Sequence, residues 1–115
     1  MQLKQGDICL AKLDPSKRAE IGKIRPVAIL TASIILEIDP EVLLICPLST
    51  KSHPKFSGLH VEMPPRHKLL KTSYAVVEHC RSIATDRITS KKLTQLTDEE
   101  LIAVLQRLKC IVGLP

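Results

Sequence analysis

The chain predicts a mainly β fold of the α+β type, a small barrel-like sheet with one amphipathic helix against it. Three features carry this expectation: short Val-, Ile- and Leu-rich runs, Pro and Gly between them, and one well-capped helical segment near the C-terminus. At 115 residues there is material for one hydrophobic core and not two. With no internal repeat, linker or low-complexity tract, residues 1–115 are expected to form a single domain.

Strands are expected at 7–13, 26–32, 42–48, 59–63 and 74–79, with a further one at 81–84. The first is only loosely alternating, whereas Val42-Leu43-Leu44-Ile45-Cys46 is apolar at every position, as a strand buried on both faces would be. Leu13-Asp14-Pro15 closes the first strand, so residues 14–25 form a loop over the sheet. Residues 33–38 fit a helical turn or an extended segment equally. A short helical turn is expected near Ser90-Lys91-Lys92-Leu93. From Thr97 the pattern is helical: Thr97-Asp98-Glu99-Glu100 fits a capping box, acidic residues fill the first turn, and Arg107 and Lys109 suit the last. Leu101, Leu105, Leu108 and Val112 share one face, and Gly113 offers a stop.

Composition narrows the function classes. With 44% hydrophobic and 25% charged residues the chain is globular, and its apolar runs are far shorter than the ~18 residues of a membrane helix. The N-terminal residues lack the apolar segment of a signal peptide, so a cytoplasmic location without membrane attachment is expected. Cys9, Cys46, Cys80 and Cys110 include no C-x-x-C pair and are expected as reduced core thiols. His53, His60 and His67 fall in a Pro- and Gly-broken region without a paired ligand motif. They either help a proton transfer or are simply solvated, the second being the expectation, with no metal and no cofactor. With Phe56 and Tyr74 the only aromatic residues, a platform stacking several bases cannot be built.

Charge points to a polyanion. The net charge is +5 and is concentrated in two segments. Lys17, Arg18, Lys23 and Arg25 lie in 14–25, and Lys51, Lys55, Arg66, Lys68 and Lys71 lie in 51–71 against the single acid Glu62. Three constellations fall at strand ends: Arg25, Pro47-Leu48-Ser49-Thr50, and Glu78-His79-Cys80-Arg81. If they converge, they assemble a guanidinium fork for phosphate oxygens, hydroxyls and a carboxylate, an inventory suited to RNA cleavage in which the 2′-hydroxyl attacks. Arg25, Ser49 and Glu78 are the catalytic candidates. Lys17, Arg18, Lys23, Thr50, Lys51, Lys55 and Arg81 are the substrate-binding ones. Plainer roles stand beside these: Arg25 pairing with Asp14 or Glu20, Ser49-Thr50 bonding its own backbone, and Glu78 paired with Arg81. His79 should face away from any site that Glu78 enters, as neighbours in a strand do.

The same residues resemble the MazF/PemK family of toxin endoribonucleases. The matching segments are Gly6-Asp7-Ile8, Leu13-Asp14-Pro15, Glu20 through Gly22-Lys23-Ile24-Arg25-Pro26, Pro47-Leu48-Ser49-Thr50, Lys71-Thr72-Ser73-Tyr74, and Glu78-His79-Cys80-Arg81-Ser82-Ile83 with Asp86-Arg87, in family order. The resemblance implies an SH3-like barrel and a homodimer. It further implies sequence-specific, metal-independent cleavage of single-stranded RNA to a 2′,3′-cyclic phosphate and a 5′-hydroxyl, held in check by a cognate antitoxin. By position, Arg25 matches the family's catalytic arginine and Ser49 its catalytic threonine. Glu78 matches an acidic residue of one branch, and Arg81 the arginine of the R-[TS]-I segment. Ala19 stands where one branch has a catalytic histidine, and Val76 where that branch has a companion arginine. Two other classes remain open: a toxin of this fold that binds a protein target, as gyrase poisons do, and a catalytically decayed RNA-binding module.

Overall fold

The computed structural model describes residues 2–13 and 23–115. Seven strands form a mostly antiparallel, curled half-barrel sheet: β1 Asp7–Lys12, β2 Ile24–Ile29, β3 Val42–Ser49, β4 His60–Met63, β5 Ser73–Val76, β6 Arg81–Ala84 and β7 Thr94–Gln95. Their order is β4-β5-β3-β2-β1-β7, with β6 also paired to β3. Two helices, α1 Ser33–Leu36 and α2 Asp98–Ile111, and 3-10 turns at Pro54–Leu59, Val77–His79 and Thr85–Arg87 complete the elements among the described residues. The expected mainly β fold with a C-terminal helix is what forms.

β3 is the spine of the sheet because both of its faces are apolar. Leu43 and Ile45 enter one core with Ala11, Val27, Ile29 and Ile83, while Cys46 and Leu48 enter the other with Ala28, Met63 and Val104. The unbroken apolar run is thus the signature of a strand covered on both sides. The second core is closed by α2, whose buried Val104 is flanked by Leu101 and Leu108. Val112, expected on that stripe, lies past the helix end and is exposed.

The ends of α2 form as the sequence dictates. The Thr97 hydroxyl accepts from the Glu100 amide at 3.1 Å, and the Glu100 carboxylate accepts from the Thr97 amide at 2.9 Å, a cap of ~1 kcal/mol. At the other end Gly113, with φ +77°, donates to the Cys110 carbonyl while Leu114 donates to that of Lys109, the pairing that closes a helix on a left-handed glycine.

Several expectations are corrected. β2 begins at Ile24, so Arg25 is a strand residue and not part of the loop. Pro26, which has no amide to donate, lies just beyond the β2–β3 ladder and so breaks no rung of it. The segment expected as a strand over 74–79 stops at Val76 and tightens into a 3-10 turn. No helical turn forms at 90–93, where the chain bends into the two-residue strand β7; the turn lies at Thr85–Arg87 instead. Of residues 33–38, the first four form the short helix α1 and the last two a turn. Among the cysteines, Cys9 and Cys46 are buried, Cys80 is half-buried and Cys110 is exposed, so the last is no core thiol. Burial, reinforced by Asp7, pushes the Cys9 thiol up to about 11, which leaves it inert. No helix among the described residues is long and apolar enough to cross a membrane.

Candidate active site at the end of strand β3

Strand register sets where the candidate residues stand. The β2–β3 ladder pairs Val27 with Pro47. That is the last pair of the ladder, so Arg25 and Ser49 each lie two residues beyond it, on adjoining strands. Ser49 in turn pairs with Tyr74 of β5, and Tyr74 with Glu62 of β4. Ser49, Tyr74 and Glu62 therefore form one row across three strands. Arg25 is paired on its other side with Ala11 of β1 and does not line the pocket that Ser49 enters.

Glu78 reaches this site through a shift in register. β5 meets β3 through Leu48↔Ala75, and β6 meets the same edge through Ile45↔Arg81. Three steps back along β3 correspond to six steps forward on its partner, from 75 to 81. The extra three residues are the 3-10 turn Val77–His79. The turn acts as a bulge, lifting Glu78 out of the ladder and aiming it elsewhere.

It is aimed into an open pocket of about 680 Å³ lined by Ser49, Lys51, Ser52, His60, Glu78 and His79, together with Phe56. Glu78 and His79 line the pocket together, because residues of a 3-10 turn do not alternate as strand neighbours do. The expectation that His79 faces away is thereby overturned.

The residue that sequence reasoning misplaced is His60. It is 7% exposed, the first residue of β4. Its Nε2 lies 2.8 Å from Glu78 Oε2 and its Nδ1 lies 2.9 Å from Ser52 Oγ. With Glu78 ionised, Nε2 must donate. Nδ1 can then accept from the serine hydroxyl, or donate to it once the ring is protonated, so either ring state keeps both partners. The other Glu78 oxygen, Oε1, is buried and has no hydrogen-bond partner. The signal for His60 was its place before Val61-Glu62-Met63: Val61 and Met63 fill the core, which turns His60 to the site face.

Ser49 Oγ accepts from the Lys51 amide at 3.1 Å. This is the local backbone bond weighed above, and it leaves the hydroxyl proton to be donated. Thr50, Lys51 and Lys55 are exposed beside the pocket, Lys55 with its ammonium 5.6 Å from the Phe56 ring centroid. Lys23, at φ 65°, is the last residue before β2, and its carbonyl accepts from the Leu13 amide at 2.8 Å. Arg81 is half-buried and donates to the Leu13 carbonyl at 3.3 Å, across the base of the β1–β2 connection. Lys17 and Arg18 lie outside the described residues.

Arg66 is not available to a polyanion. It grips both oxygens of Glu100 at 2.6 Å and also donates to the Pro64 and Gln95 carbonyls, which removes one cation from the basic segment 51–71. Among the described residues, no three His, Cys, Asp or Glu side chains gather closely enough to hold a metal ion.

Comparison with known proteins places the chain in a family. Residues 4–112 match the family model described as PemK-like, MazF-like toxin of type II toxin-antitoxin system. The chain is 30% identical over 113 residues to an endoribonuclease MazF of Staphylococcus saprophyticus, covering 97% of this chain and 92% of that protein. In fold it is similar to MazF from Deinococcus radiodurans, with a TM-score of 0.83, 18% identity and 99% of each chain covered. It is also similar to a MazE-MazF crystal structure from that organism, with a TM-score of 0.77, 17% identity, and 100% of this chain and 99% of that chain covered. With a match spanning nearly the whole chain, the protein belongs to the PemK-like, MazF-like toxins of type II toxin-antitoxin systems.

Proposed function

We propose that this chain is a toxin endoribonuclease forming one domain over residues 1–115. In this reading it cleaves single-stranded RNA at specific sequences without a metal ion, leaving a 2′,3′-cyclic phosphate and a 5′-hydroxyl. The observation that carries this is the pocket that Ser49 shares with Glu78, with Arg25 on the adjoining strand β2. Arg25 and the Ser49 hydroxyl hold the scissile phosphate and offset the charge that builds on its oxygens. The 2′-oxygen forms a bond to phosphorus and the bond from phosphorus to the 5′-oxygen breaks. Glu78 assists proton transfer through His60, whose bond to Ser52 gives the proton a path from the pocket onto the ring.

Lys23, Thr50, Lys51 and Lys55, with Lys17 and Arg18, supply contacts to the RNA backbone. Arg81 contributes by holding the Leu13 carbonyl, just before the segment that carries Lys17 and Arg18. Partners of this site are RNA and a cognate antitoxin. An acidic antitoxin segment laid over the basic residues would silence the site by charge and shape together. The named endoribonuclease relative and the MazE-MazF neighbour support both roles. A homodimer in the cytoplasm, unattached to membrane, completes the proposal.

Purified protein incubated with a long defined RNA in EDTA should yield discrete fragments ending in cyclic phosphate, and Arg25→Ala should lower the rate by at least ~10²-fold. Undiminished cleavage by Arg25→Ala would remove the phosphate-binding role. Intact RNA with the unaltered protein would remove the nuclease reading and favour a toxin that acts by binding.

A further inference from the structure

The bulge that aims Glu78 ends on a cysteine, and that cysteine meets another. The β3–β6 ladder pairs Val42 with Ala84 and continues to Ile45 with Arg81. The ladder ends there, and its register continued by one step would set Cys46 opposite Cys80. Directly opposed residues of an antiparallel pair have Cα atoms ~4.5–5.5 Å apart, within the range a disulfide spans. Cys80 packs against the core cluster that contains Cys46, and although the Cys46 thiol donates to the Pro47 carbonyl at 3.7 Å, the two sulfurs are near enough for each to shift the other. We propose that Cys46 and Cys80 form an oxidative modification site, a reversible disulfide that throttles the adjoining active site. The effect on activity rests on the nuclease reading above; the chemistry of the pair does not.

The two thiols are suited to different roles. The neighbouring Cys46 thiol lowers the Cys80 thiol below its ordinary value, although burial and the Glu78 charge oppose this. The same closeness raises Cys46, and burial and the Glu78 charge raise it further. Cys80 is also the more accessible of the two. A hydroperoxide such as hydrogen peroxide is the co-reactant. The Cys80 thiolate attacks one peroxide oxygen, so a sulfur–oxygen bond forms as the oxygen–oxygen bond breaks, and the departing hydroxide takes a proton to become water. Cys46 sulfur then attacks the sulfenic sulfur. The sulfur–sulfur bond forms, the sulfur–oxygen bond breaks, and the Cys46 thiol proton leaves in a second water. Two thiols and one peroxide give one disulfide and two waters.

The coupling to the site is mechanical. A sulfur–sulfur bond draws the two atoms more than about 1 Å closer than two unbonded thiols can approach. Cys80 closes the turn that carries Glu78, its amide donating to the Val77 carbonyl at 3.1 Å. Pulling Cys80 toward β3 therefore displaces Glu78 from His60, and misplacement of about that size has cost as much as 10²-fold in enzyme rates.

The test treats the full-length protein with hydrogen peroxide, quenches it, and follows mass and RNA cleavage together. The expected result is loss of roughly 2 Da, a mapped link between the peptides holding Cys46 and Cys80, and a fall in cleavage of about tenfold that a phosphine reductant reverses. Cys46→Ala and Cys80→Ser should each abolish the link and its reversible inhibition. Failure of the link to form, or oxidation appearing instead at exposed Cys110, overturns the site. A mapped link with an unchanged cleavage rate overturns the throttle. Reduced protein that cuts no RNA counts against the nuclease reading alone, because the link is read by mass.

Discussion

Two glutamates in this molecule sit in half-buried pockets against a nitrogen base, and their second oxygens set them apart. Glu100 has both oxygens engaged: Arg66 grips the pair at 2.6 Å, and the Thr97 amide adds a third bond. Burial would raise its carboxyl, but the Arg66 and Thr97 bonds outweigh that and hold it below the ordinary value. Glu78 has one oxygen on His60, while the other is buried with nothing to accept from. A folded protein normally satisfies such an atom, because a missing partner costs about 1–3 kcal/mol. Glu100 spends its charge on the fold, tying the loop after β4 to the start of α2. Glu78 keeps part of its bonding capacity in reserve, in a pocket open to a ligand. Placement within the chain follows the same division, since Glu100 belongs to a regular cap and Glu78 to a bulge.

The largest effect should come from breaking this division at Glu78. Glu78→Gln keeps size and a hydrogen bond to His60 but removes the charge that would stabilise a protonated ring. RNA cleavage is expected to fall ~10²-fold, while thermal unfolding stays within ~1 kcal/mol of the unaltered protein. Destabilisation equal to that of a Glu100 variant would show that the two glutamates do the same work, and the comparison would fail.

Much of this was legible before the structure because local rules and pairing rules agree. The capping box at Thr97, the glycine stop at Gly113 and the doubly buried β3 each follow from a few adjacent residues. The pairing of Ser49 with Tyr74 needs only correct strands and their register. What was not legible depends on partners far apart in sequence. His60 lies among Pro and Gly residues and looked solvated; its burial is decided by Glu78, 18 residues away. Arg66 looked like one more surface cation, but Glu100, 34 residues away, claims it. The turn at Val77–His79 was hidden because Tyr74-Ala75-Val76-Val77 has strong strand propensity, and only the change of partner strand on β3 forces the tightening.

The next effect in size tests the scaffold arm of the comparison. Arg66→Ala removes both bonds to Glu100 and should lower stability by ~2 kcal/mol, with cleavage per folded molecule unchanged. The loss should depend on pH. A carboxyl lowered in the folded state contributes stability above its unfolded value, near the ordinary 4.5, and loses it as pH falls through the folded value. The gap between the two proteins in urea unfolding should therefore be full at pH 7 and shrink below pH ~4. A gap of constant size across that range would mean that Arg66 acts through packing alone.

The smallest expected effect lies at the opposite end of the same helix and asks whether the whole of α2 is scaffold. Gly113 holds φ +77°, where a side chain is strained, although nothing lies within 4 Å of an added Cβ. Gly113→Ala should therefore cost ~1 kcal/mol from backbone strain alone, without a clash. Its neighbours Val112 and Leu114 are exposed, so fraying of the last turn can relieve part of that strain and the measured cost should fall below the figure. Cleavage per folded molecule should not change, because α2 is held to the sheet through Val104, Leu101 and Leu108, which lie upstream of the frayed turn. An activity loss larger than the stability loss would mean that the helix end reaches the active site or a second copy of the chain, and α2 would then no longer belong to the scaffold side of the comparison.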